Sequence, residues 1–455
     1  MTAWLAPALA YLPQWLDFQL AKANLPGASF AVAHRGKTVL AHASGLANVA
    51  SGEKLSPAHR FRVASHSKTF TAAAVMKLVE AGRLRLDDRA GDHVKGLHKA
   101  IARATIAQLL SHTSGIIRDG EDAGQWADRR PFLNEAELRA AFANAPVLPA
   151  NTRFKYSNHG FGLAGLVIAA VTGEPYSTWV AREIVAASGL AETVPDAPLP
   201  GRTPFARGHV ARLLMGELFT IPSDNPTNAL ASATGFISTP DNLVRFFSSL
   251  DPAAKSSVLS VESRREMTRR HWAIPDISAE RHYGLGTNQG TSGKWAWFGH
   301  GGGFQGVLSH TVMAPEAGIA VSVALNSMDS DPAMITDGAL RILQAFARHG
   351  APSKKTAGWT GRFWSMWNAT DLVPMGDKVI LAVPSQAYPF QDAAEVTVTA
   401  PDAGHISKAH GFGSHGQAAS LTRNRAGAIT EVTLGGAQLL PAAVLQKEIR
   451  ARHTA

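Results

Sequence analysis

Ser65-His66-Ser67-Lys68 opens an alanine-rich segment, Thr69 to Gly82, whose composition predicts a helix. Residues three apart lie on the same helix face, so we expect the Ser65 hydroxyl to meet the Lys68 amine. A serine hydroxyl is a weak nucleophile, and a desolvated neutral lysine beside it is a sufficient base. The helix start also offers unpaired backbone N–H groups to an oxyanion. The four letters therefore predict a nucleophilic serine, although a capping serine and a surface lysine would produce the same pattern.

The composition is that of an ordinary globular protein, with 45% hydrophobic and 17% charged residues among 455. This length predicts two or three domains. The chain contains no cysteine, which excludes disulfides, thiolate catalysis and zinc sites built on sulfur. No segment reaches the roughly 18 apolar residues of a membrane span, and residues 1–13 lack the basic leader of a signal peptide. We therefore expect a cytoplasmic protein that does not enter a membrane.

The formal net charge of +9 is spread along the chain. The densest basic run, Arg264, Arg265, Arg269 and Arg270, has helical spacing and predicts a solvated helix face. It lacks the interleaved aromatic residues of a single-strand binder, which argues against a nucleic-acid partner. We expect instead a small-molecule or short-peptide substrate, and the surplus charge favours an anionic one. The sequence makes no prediction about the oligomeric state.

Strand-like segments flank a helix-rich region in the first 350 residues. The predicted elements are a hairpin of Ala28–Ala33 and Thr38–Ala43, helices between about Ser65 and Leu250, strands at Trp295–Phe298, Val307–Met313 and Ile319–Asn326, and a closing helix at Asp331–His349. This order predicts an α+β domain over residues 1–350. Its mixed antiparallel sheet would be assembled from both ends of the domain and flanked by helices, with a large helical subdomain on one side.

A polar linker at Gly350–Thr356 precedes a second predicted domain, residues 358–455. Short β segments separated by turns predict a small all-β fold, a barrel or a curled sheet. The segments are Lys378–Val383, Glu395–Ala400, Gln417–Arg423 and Ala428–Leu434. His405, His410 and His415 recur every five residues there, which leaves a metal cluster conceivable, but a polar loop is the simpler interpretation. We expect neither a metal nor a cofactor.

Tyr156-Ser157-Asn158 supplies two further groups that the Ser65–Lys68 chemistry needs. A tyrosine beside the pair can relay the proton from the serine to the leaving group. The Asn158 amide can bind a substrate carbonyl and keep Lys68 neutral or oriented. A core tyrosine followed by a helix-capping asparagine would give the same letters.

A run of glycines, Gly301, Gly302 and Gly303, follows His300 between two predicted strands. Glycines on a strand let the backbone approach a ligand, so an N–H here can serve as a second oxyanion donor. The string also fits a dinucleotide fingerprint, but that motif needs a helix next, and Val307–Met313 alternates like a strand. An α/β-hydrolase interpretation fails because the chain contains no G-x-S-x-G.

S-x-x-K, Y-x-N and H-x-G in this order resemble the serine β-lactamase-like hydrolases, the penicillin-recognising family. The resemblance covers about residues 25 to 345 and is closest to the branch of class C β-lactamases, esterases, D-aminopeptidases and amidases. Further similar segments are Phe61–Ala72, Leu86–Asp88, Leu109–Gly115 and Gly235–Asp241. His112, within the third of these, is interpreted as structural.

The resemblance implies Ser65 as the acylated nucleophile, Lys68 as the base and Tyr156 as the proton relay. It further implies Asn158 as the partner of substrate and lysine, with the oxyanion hole at the N–H groups of Ser65 and Gly303. The segment His300 to Gly303 would contact the substrate. His300 and Gly301 stand where penicillin-binding members carry a lysine and a hydroxyl residue that grip the β-lactam carboxylate.

We therefore predict a serine hydrolase that cleaves an amide or ester through a Ser65 acyl-enzyme, with a small peptide or amino-acid amide as substrate. Two alternatives remain open. One is a carboxylesterase or weak β-lactamase, and the other is a penicillin- or peptide-binding protein that does not turn over.

Overall fold

Strands from both sides of the helix-rich region pair into one sheet in the computed structural model, which describes residues 2–277 and 279–453. The strands of this part of the chain are β1 (Gly27–His34), β2 (Lys37–Asn48), β3 (Glu53–Lys54), β4 (Phe61–Arg62), β5 (Gly208–His209), β6 (Thr220–Ile221), β7 (Ile237–Ser238), β8 (Trp272–Ala273), β9 (His282–Tyr283), β10 (Asn288–Ser292), β11 (Trp295–Phe304), β12 (Val307–Ala314) and β13 (Ile319–Leu325). Nine of them form the sheet in the order β3-β2-β1-β13-β12-β11-β10-β9-β8.

The centre of this sheet joins its two halves. Strand β1 pairs antiparallel with β2 on one side and with β13 on the other, where Phe30 lies opposite Val323. Both central strands are buried almost throughout, as their continuous runs of apolar and small residues predict. The expected sheet assembled from both ends of the domain is therefore confirmed. The remaining four short strands form two separate pairs, β4 with β7 and β5 with β6.

Most of the helices lie between β4 and β8, as the sequence predicts. The α-helices of the chain are α1 (Leu5–Ala23), α2 (Ser67–Glu80), α3 (Ala90–His93), α4 (Lys99–Ala102), α5 (Ile106–Leu110), α6 (Glu135–Ala141), α7 (Asn158–Thr172), α8 (Tyr176–Val180), α9 (Arg212–Met215), α10 (Pro240–Ser249), α11 (Val261–Met267), α12 (Pro332–His349) and α13 (Ala442–His453). Helix α2 is the most buried of the long helices in this region, and its alanines allow neighbouring elements to approach it closely.

Local capping signals in the sequence set the starts of two important helices. Ser157 caps α7, and its Oγ accepts from the Gly160 N–H at 2.8 Å. Asp331 caps α12, where its Oδ1 accepts from the N–H groups of Ala333 and Met334 at 3.0 and 3.1 Å. Pro332 occupies the first helical position, so the predicted start of the closing helix is confirmed.

The C-terminal strands form a second sheet, of eight strands in sequential order. They are β14 (Gly361–Trp364), β15 (Ala369–Met375), β16 (Lys378–Ala382), β17 (Ala394–Ala400), β18 (Ala403–Lys408), β19 (Ala418–Arg423), β20 (Ile429–Leu434) and β21 (Ala437–Leu439). Trp364 at the end of β14 exchanges two backbone hydrogen bonds with Leu440, just after β21. The first and last strands thus meet, and the sheet is a nearly closed barrel around Trp359 and Val432.

The described residues divide by their contacts into two units. One unit is Ala23–Thr336, and the other combines the residues up to Lys22 with those from Asp337 onward. Helix α1 therefore groups with the C-terminal strands rather than with the residues that follow it. In this second unit the Tyr11 hydroxyl donates to Asp371 at 3.0 Å, and the Trp15 indole donates to the Gln386 carbonyl at 3.2 Å. None of the described helices is long and apolar enough to cross a membrane.

Candidate active site

Ser65 lies in a single 3-10 turn, Ala64–His66, that runs directly into helix α2. Ala64 has a φ of +46°, a left-handed conformation that residues with a Cβ rarely adopt. The Ser67 hydroxyl donates to the Ala64 carbonyl at 2.5 Å and accepts from the Phe236 N–H at 3.0 Å, which holds the turn in place. The predicted helix is confirmed, but it begins two residues after Ser65, so the nucleophile candidate lies just before the helix.

Lys68 is completely buried, and its amine is surrounded by three oxygen atoms. The Nζ atom lies 2.7 Å from Asn158 Oδ1, 2.8 Å from the Ala233 carbonyl oxygen and 3.1 Å from Ser65 Oγ. Burial holds the pKa of Lys68 well below its usual value, and the charge of Arg118 lowers it further, although Asp119 opposes both. A neutral amine fits this site, because its two N–H groups donate to the amide and the carbonyl and its lone pair accepts from the Ser65 hydroxyl.

Tyr156 reaches the same serine from a second direction. Its hydroxyl donates to Ser65 Oγ at 2.8 Å, and its ring centroid lies 4.7 Å from Lys68 Nζ. Burial raises the pKa of Tyr156 above its usual value, so the phenol is protonated at neutral pH. Lys68 Nζ and the Tyr156 hydroxyl therefore both lie within hydrogen-bond distance of Ser65 Oγ.

Asn158 is the first residue of α7, and its amide is held at both ends. Oδ1 accepts from Lys68, while Nδ2 donates to Asp119 Oδ1 at 2.6 Å. The other oxygen of Asp119 accepts from Arg118 Nε at 3.0 Å. These partners fix which way the amide points, so that Lys68 meets an oxygen and not an N–H. We call Ser65, Lys68, Tyr156 and Asn158 the catalytic network.

His112 fixes the backbone on both sides of Tyr156. Its carbonyl accepts from the Lys155 N–H at 2.7 Å, and its Nδ1 accepts from the Ser157 N–H at 3.1 Å. The ring is fully buried and lies 4.2 Å from the Tyr156 ring, between centroids. Burial holds the pKa of His112 well below its usual value, so Nδ1 stays free to accept. His112 thus supports the backbone around Tyr156, which agrees with its interpretation as structural.

The glycine run lies in the part of strand β11 that extends beyond the neighbouring strand β10. Pairing with β10 ends at Gly299, opposite Asn288, while pairing with β12 continues to Phe304. A Cβ on Gly302 would lie 2.1 Å from the Val63 carbonyl oxygen, so only glycine lets the strand pack this closely beside the Ser65 turn. Gly303 lines the same cleft as Ser65. The predicted strand Val307–Met313 is confirmed as β12, at the position where a dinucleotide fingerprint would need a helix.

His300 is buried, with 2% of its surface exposed, and both its ring nitrogens have partners within the protein. Nδ1 donates to the Gly301 carbonyl at 2.6 Å, and the Tyr283 hydroxyl donates to Nε2 at 2.9 Å. Burial holds the pKa of His300 well below its usual value. The imidazole is therefore neutral, and its ring nitrogens are already used by protein partners in this arrangement.

A cleft of about 330 Å³ opens onto Ser65 Oγ. The residues that line it are Ser65, Arg118, Asp119, Trp126, Tyr156, Asn158 and Gly303. Four of these, Ser65, Tyr156, Asn158 and Gly303, were singled out from the sequence, and Trp126 lies in the 3-10 turn Gly124–Ala127. Arg118 and Asp119 were missed because isolated charged residues before a loop carry no distinguishing pattern. We call Arg118, Asp119 and Trp126 the cleft rim.

The C-terminal histidines do not form the conceivable metal cluster. His405 lies in strand β18, and His410 and His415 lie in the segment that follows it. Within residues 2–277 and 279–453, no group of three or more His, Cys, Asp or Glu side chains is arranged to hold a metal ion.

Comparisons with known proteins place the chain in a family. A family model described as beta-lactamase matches residues 12–346. Protein flp of Staphylococcus aureus (strain COL) is 33% identical over 172 residues, and the match covers 36% of this chain and 34% of that protein. The chain thus spans about a third of the length of this relative.

Two solved structures resemble the chain in fold. The octameric penicillin-binding protein homologue from Pyrococcus abyssi has a TM-score of 0.66 at 22% identity, covering 95% of this chain and 99% of its own. A D-stereospecific amidohydrolase from Streptomyces sp. has a TM-score of 0.59 at 26% identity, covering 70% of this chain and 94% of its own. Because the family model matches most of its 455 residues, the chain belongs to the beta-lactamase family.

Proposed function

We propose that the protein is a serine hydrolase that cleaves an amide bond through an acyl-enzyme on Ser65. One observation carries the proposal: Ser65 Oγ lies within hydrogen-bond distance of a buried lysine amine and of a tyrosine hydroxyl, at 3.1 and 2.8 Å. A base and a proton donor on one serine oxygen are the groups that acyl transfer requires.

In the acylation step, the Ser65 hydroxyl loses its proton to the neutral Lys68 amine as Oγ attacks the substrate carbonyl carbon. The carbonyl oxygen becomes an oxyanion, which the backbone N–H groups of Ser65 and Gly303 stabilise. Asn158 and the Ala233 carbonyl keep the lone pair of Lys68 directed at Ser65, because they occupy both of its N–H groups.

The leaving amine then needs a proton. Tyr156 donates its hydroxyl proton to the leaving nitrogen and recovers one from Lys68, so the C–N bond breaks with no net change in the protonation of the enzyme. A water molecule next attacks the acyl-enzyme and gives its proton to the same groups. The carboxylic acid product leaves, and Ser65 is restored.

The buried, neutral imidazole of His300 favours an amide substrate over a β-lactam. The resemblance places His300 where penicillin-binding members use a lysine to grip a carboxylate, and a buried neutral imidazole with two internal partners offers no such cation. The similarity to a D-stereospecific amidohydrolase at 26% identity supports the same choice. A carboxylesterase, a weak β-lactamase and a binding protein without turnover are the alternatives that the test must separate.

Treatment with a fluorophosphonate followed by mass spectrometry tests the nucleophile. We expect one adduct, on Ser65, and none in Ser65→Ala. A parallel screen of p-nitrophenyl esters, D- and L-amino-acid amides, short peptides and a chromogenic cephalosporin tests the reaction. Turnover of amides supports the proposal, whereas turnover of esters alone or of the cephalosporin alone would replace it with the corresponding alternative. Labelling without turnover of any substrate would identify a binding protein.

A further inference from the structure

Large apolar side chains lie exposed on the hairpin that strands β5 and β6 form with helix α9 between them. They are Leu213 (88% exposed), Leu214 (76%), Met215 (46%) and Phe219 (46%) of the hairpin and Met328 (43%) beside it. We call these five residues the apolar tip. Single exposed apolar residues are ordinary, but a cluster of them at one place indicates a surface that meets another apolar surface.

Hydrogen bonds hold the backbone of this hairpin in place. At its base, the His209 N–H donates to the Gly306 carbonyl at 3.1 Å. The His209 carbonyl accepts from the Met328 N–H at 3.2 Å. At the start of α9, the Asp329 carboxylate accepts from the Arg212 N–H at 2.5 Å, and none of the four residues of this helix is buried. The apolar tip is therefore held at the surface by its own backbone.

The area of the apolar tip is large enough for a specific contact. At these exposures the five side chains leave roughly 500 Å² of surface in water, an area similar to the largest apolar patches of ordinary monomers. Two such patches packed on each other would remove roughly 1,000 Å² from water, which is the minimum for a specific interface before any polar rim is counted. A second copy of the chain supplies that second patch.

The charges around the apolar tip favour a second copy over a lipid surface. Residues 207–224 carry no net formal charge, whereas the whole chain carries +9. Two basic and two acidic residues balance there, namely Arg207, Arg212, Glu217 and Asp224. Two positively charged copies repel one another, so an uncharged surface is where they can approach most closely. Segments that insert into anionic membranes instead flank their apolar residues with an excess of Lys and Arg.

We propose that the apolar tip is the contact surface of a homodimer, in which the tip of each copy packs against the tip of the other. A two-fold contact places the same surface on both sides, so that surface must be complementary to itself. An apolar surface without net charge meets this condition. The inference is independent of the proposed hydrolase chemistry, because none of the five residues is among those that line the cleft beside Ser65.

Sedimentation velocity of the full chain between about 1 and 100 μM tests the dimer. We expect the dimer fraction to rise with concentration in the natural sequence. In a variant that combines Leu213→Glu and Leu214→Glu, the dissociation constant should increase more than about 100-fold, because each substitution acts in both copies. Trp367→Glu, at a residue that is 94% exposed in the barrel, is the matched control and should leave the dimer unchanged. Melting curves should show all three proteins folded, since these positions are exposed.

Crosslinking tests where the two copies meet. The chain contains no cysteine, so Leu214→Cys introduces its single thiol. We expect a bis-maleimide to join two copies of this variant covalently, and to leave Trp367→Cys as single chains. Addition of the glutamate substitution at Leu213 should reduce the crosslinked fraction of Leu214→Cys.

Three results would overturn the inference. A natural sequence that stays monomeric over the whole concentration range would exclude the dimer. A dimer that the glutamate variant does not weaken would place the contact on another surface. Flotation of the natural sequence with vesicles of phosphatidylcholine and phosphatidylserine, lost in the glutamate variant, would identify a lipid surface as the occupant of the apolar tip.

Discussion

Ser65, Tyr156 and Asn158 of the catalytic network line the same cavity as the cleft rim, yet the polar groups of the network and of the rim are paired to different extents. The Lys68 amine has three oxygen partners, and Ser65 Oγ is contacted from two sides. Around the rim, by contrast, Gln125 Oε1 and Trp126 Nε1 are buried without a hydrogen-bond partner among the described residues. A saturated network holds one geometry, while unpaired groups can adapt. We infer that the network sets the reaction and the rim sets the substrate.

Removal of the base, Lys68, should lower the activity more than any other change to the network or the rim. We expect Lys68→Met to lower kcat about 10²- to 10⁴-fold, because the proton of Ser65 loses its acceptor. The methionine places no charge in the buried site, so circular dichroism should show a folded protein. Lys77→Met, about two and a half turns along the same helix and partly exposed, is the matched control and should retain activity.

Substitution of His112 tests whether the position of Tyr156 depends on the two backbone hydrogen bonds that His112 accepts on either side of it. We expect His112→Ala to lower kcat about tenfold with little change in KM, because Tyr156 loses its fixed position relative to Ser65. His112→Asn retains a side-chain acceptor for the Ser157 N–H and should recover part of the loss. If alanine and asparagine were equally impaired, the Nδ1 hydrogen bond would have no role in positioning.

The lowered pKa of Lys68 also predicts how stability depends on pH. Its folded pKa lies well below 10.5, so between the two values the unfolded chain binds more protons than the folded one. Stability therefore rises with pH through this window and falls as the pH is lowered, by up to about 1.4 kcal/mol per pH unit. Denaturant titrations at several pH values should show a shallower rise in Lys68→Met. Parallel curves for the two proteins would mean that Lys68 is charged when folded.

Changes at the rim should leave the chemistry intact. Trp126 lines the cleft and packs edge-to-face on Phe132, with the ring centroids 5.2 Å apart. We expect Trp126→Phe to change KM only a few-fold and kcat less than twofold, because an aromatic wall is preserved. A large fall in kcat would show that the rim takes part in the chemical step.

The parts of the site that the sequence predicts are those set by local spacing. Ser65 and Lys68 are three residues apart where a 3-10 turn runs into α2, and Tyr156 and Asn158 flank a capping serine, so short motifs mark them. The Ala233 carbonyl that accepts from Lys68 could not be recognised, because every residue carries one. Asp119 and His112 act through contacts with residues tens of positions away, which no motif records.

The environment of Arg264 and the strand β15 were misjudged from the sequence, and both show the limit of local patterns. Arg264 was expected on a solvated helix face, but it is 4% exposed and donates to the carbonyls of Asp251 and Ala254 beyond the end of α10. Helical spacing indicates a shared face without saying which way that face points. In the barrel, β15 was missed because it contains Pro374, a residue that argues against a strand unless it lies near a turn.

The most direct test of the central claim, that a neutral Lys68 activates Ser65, is the rate of fluorophosphonate labelling of Ser65 from pH 5 to 11. It needs no knowledge of the substrate, and Lys68→Met provides the baseline. We predict a rate that rises with pH to a plateau, with a midpoint well below the ordinary lysine value of about 10.4, and a much slower rate in the variant. A midpoint near 10.4, or equal rates in the two proteins, would contradict the claim.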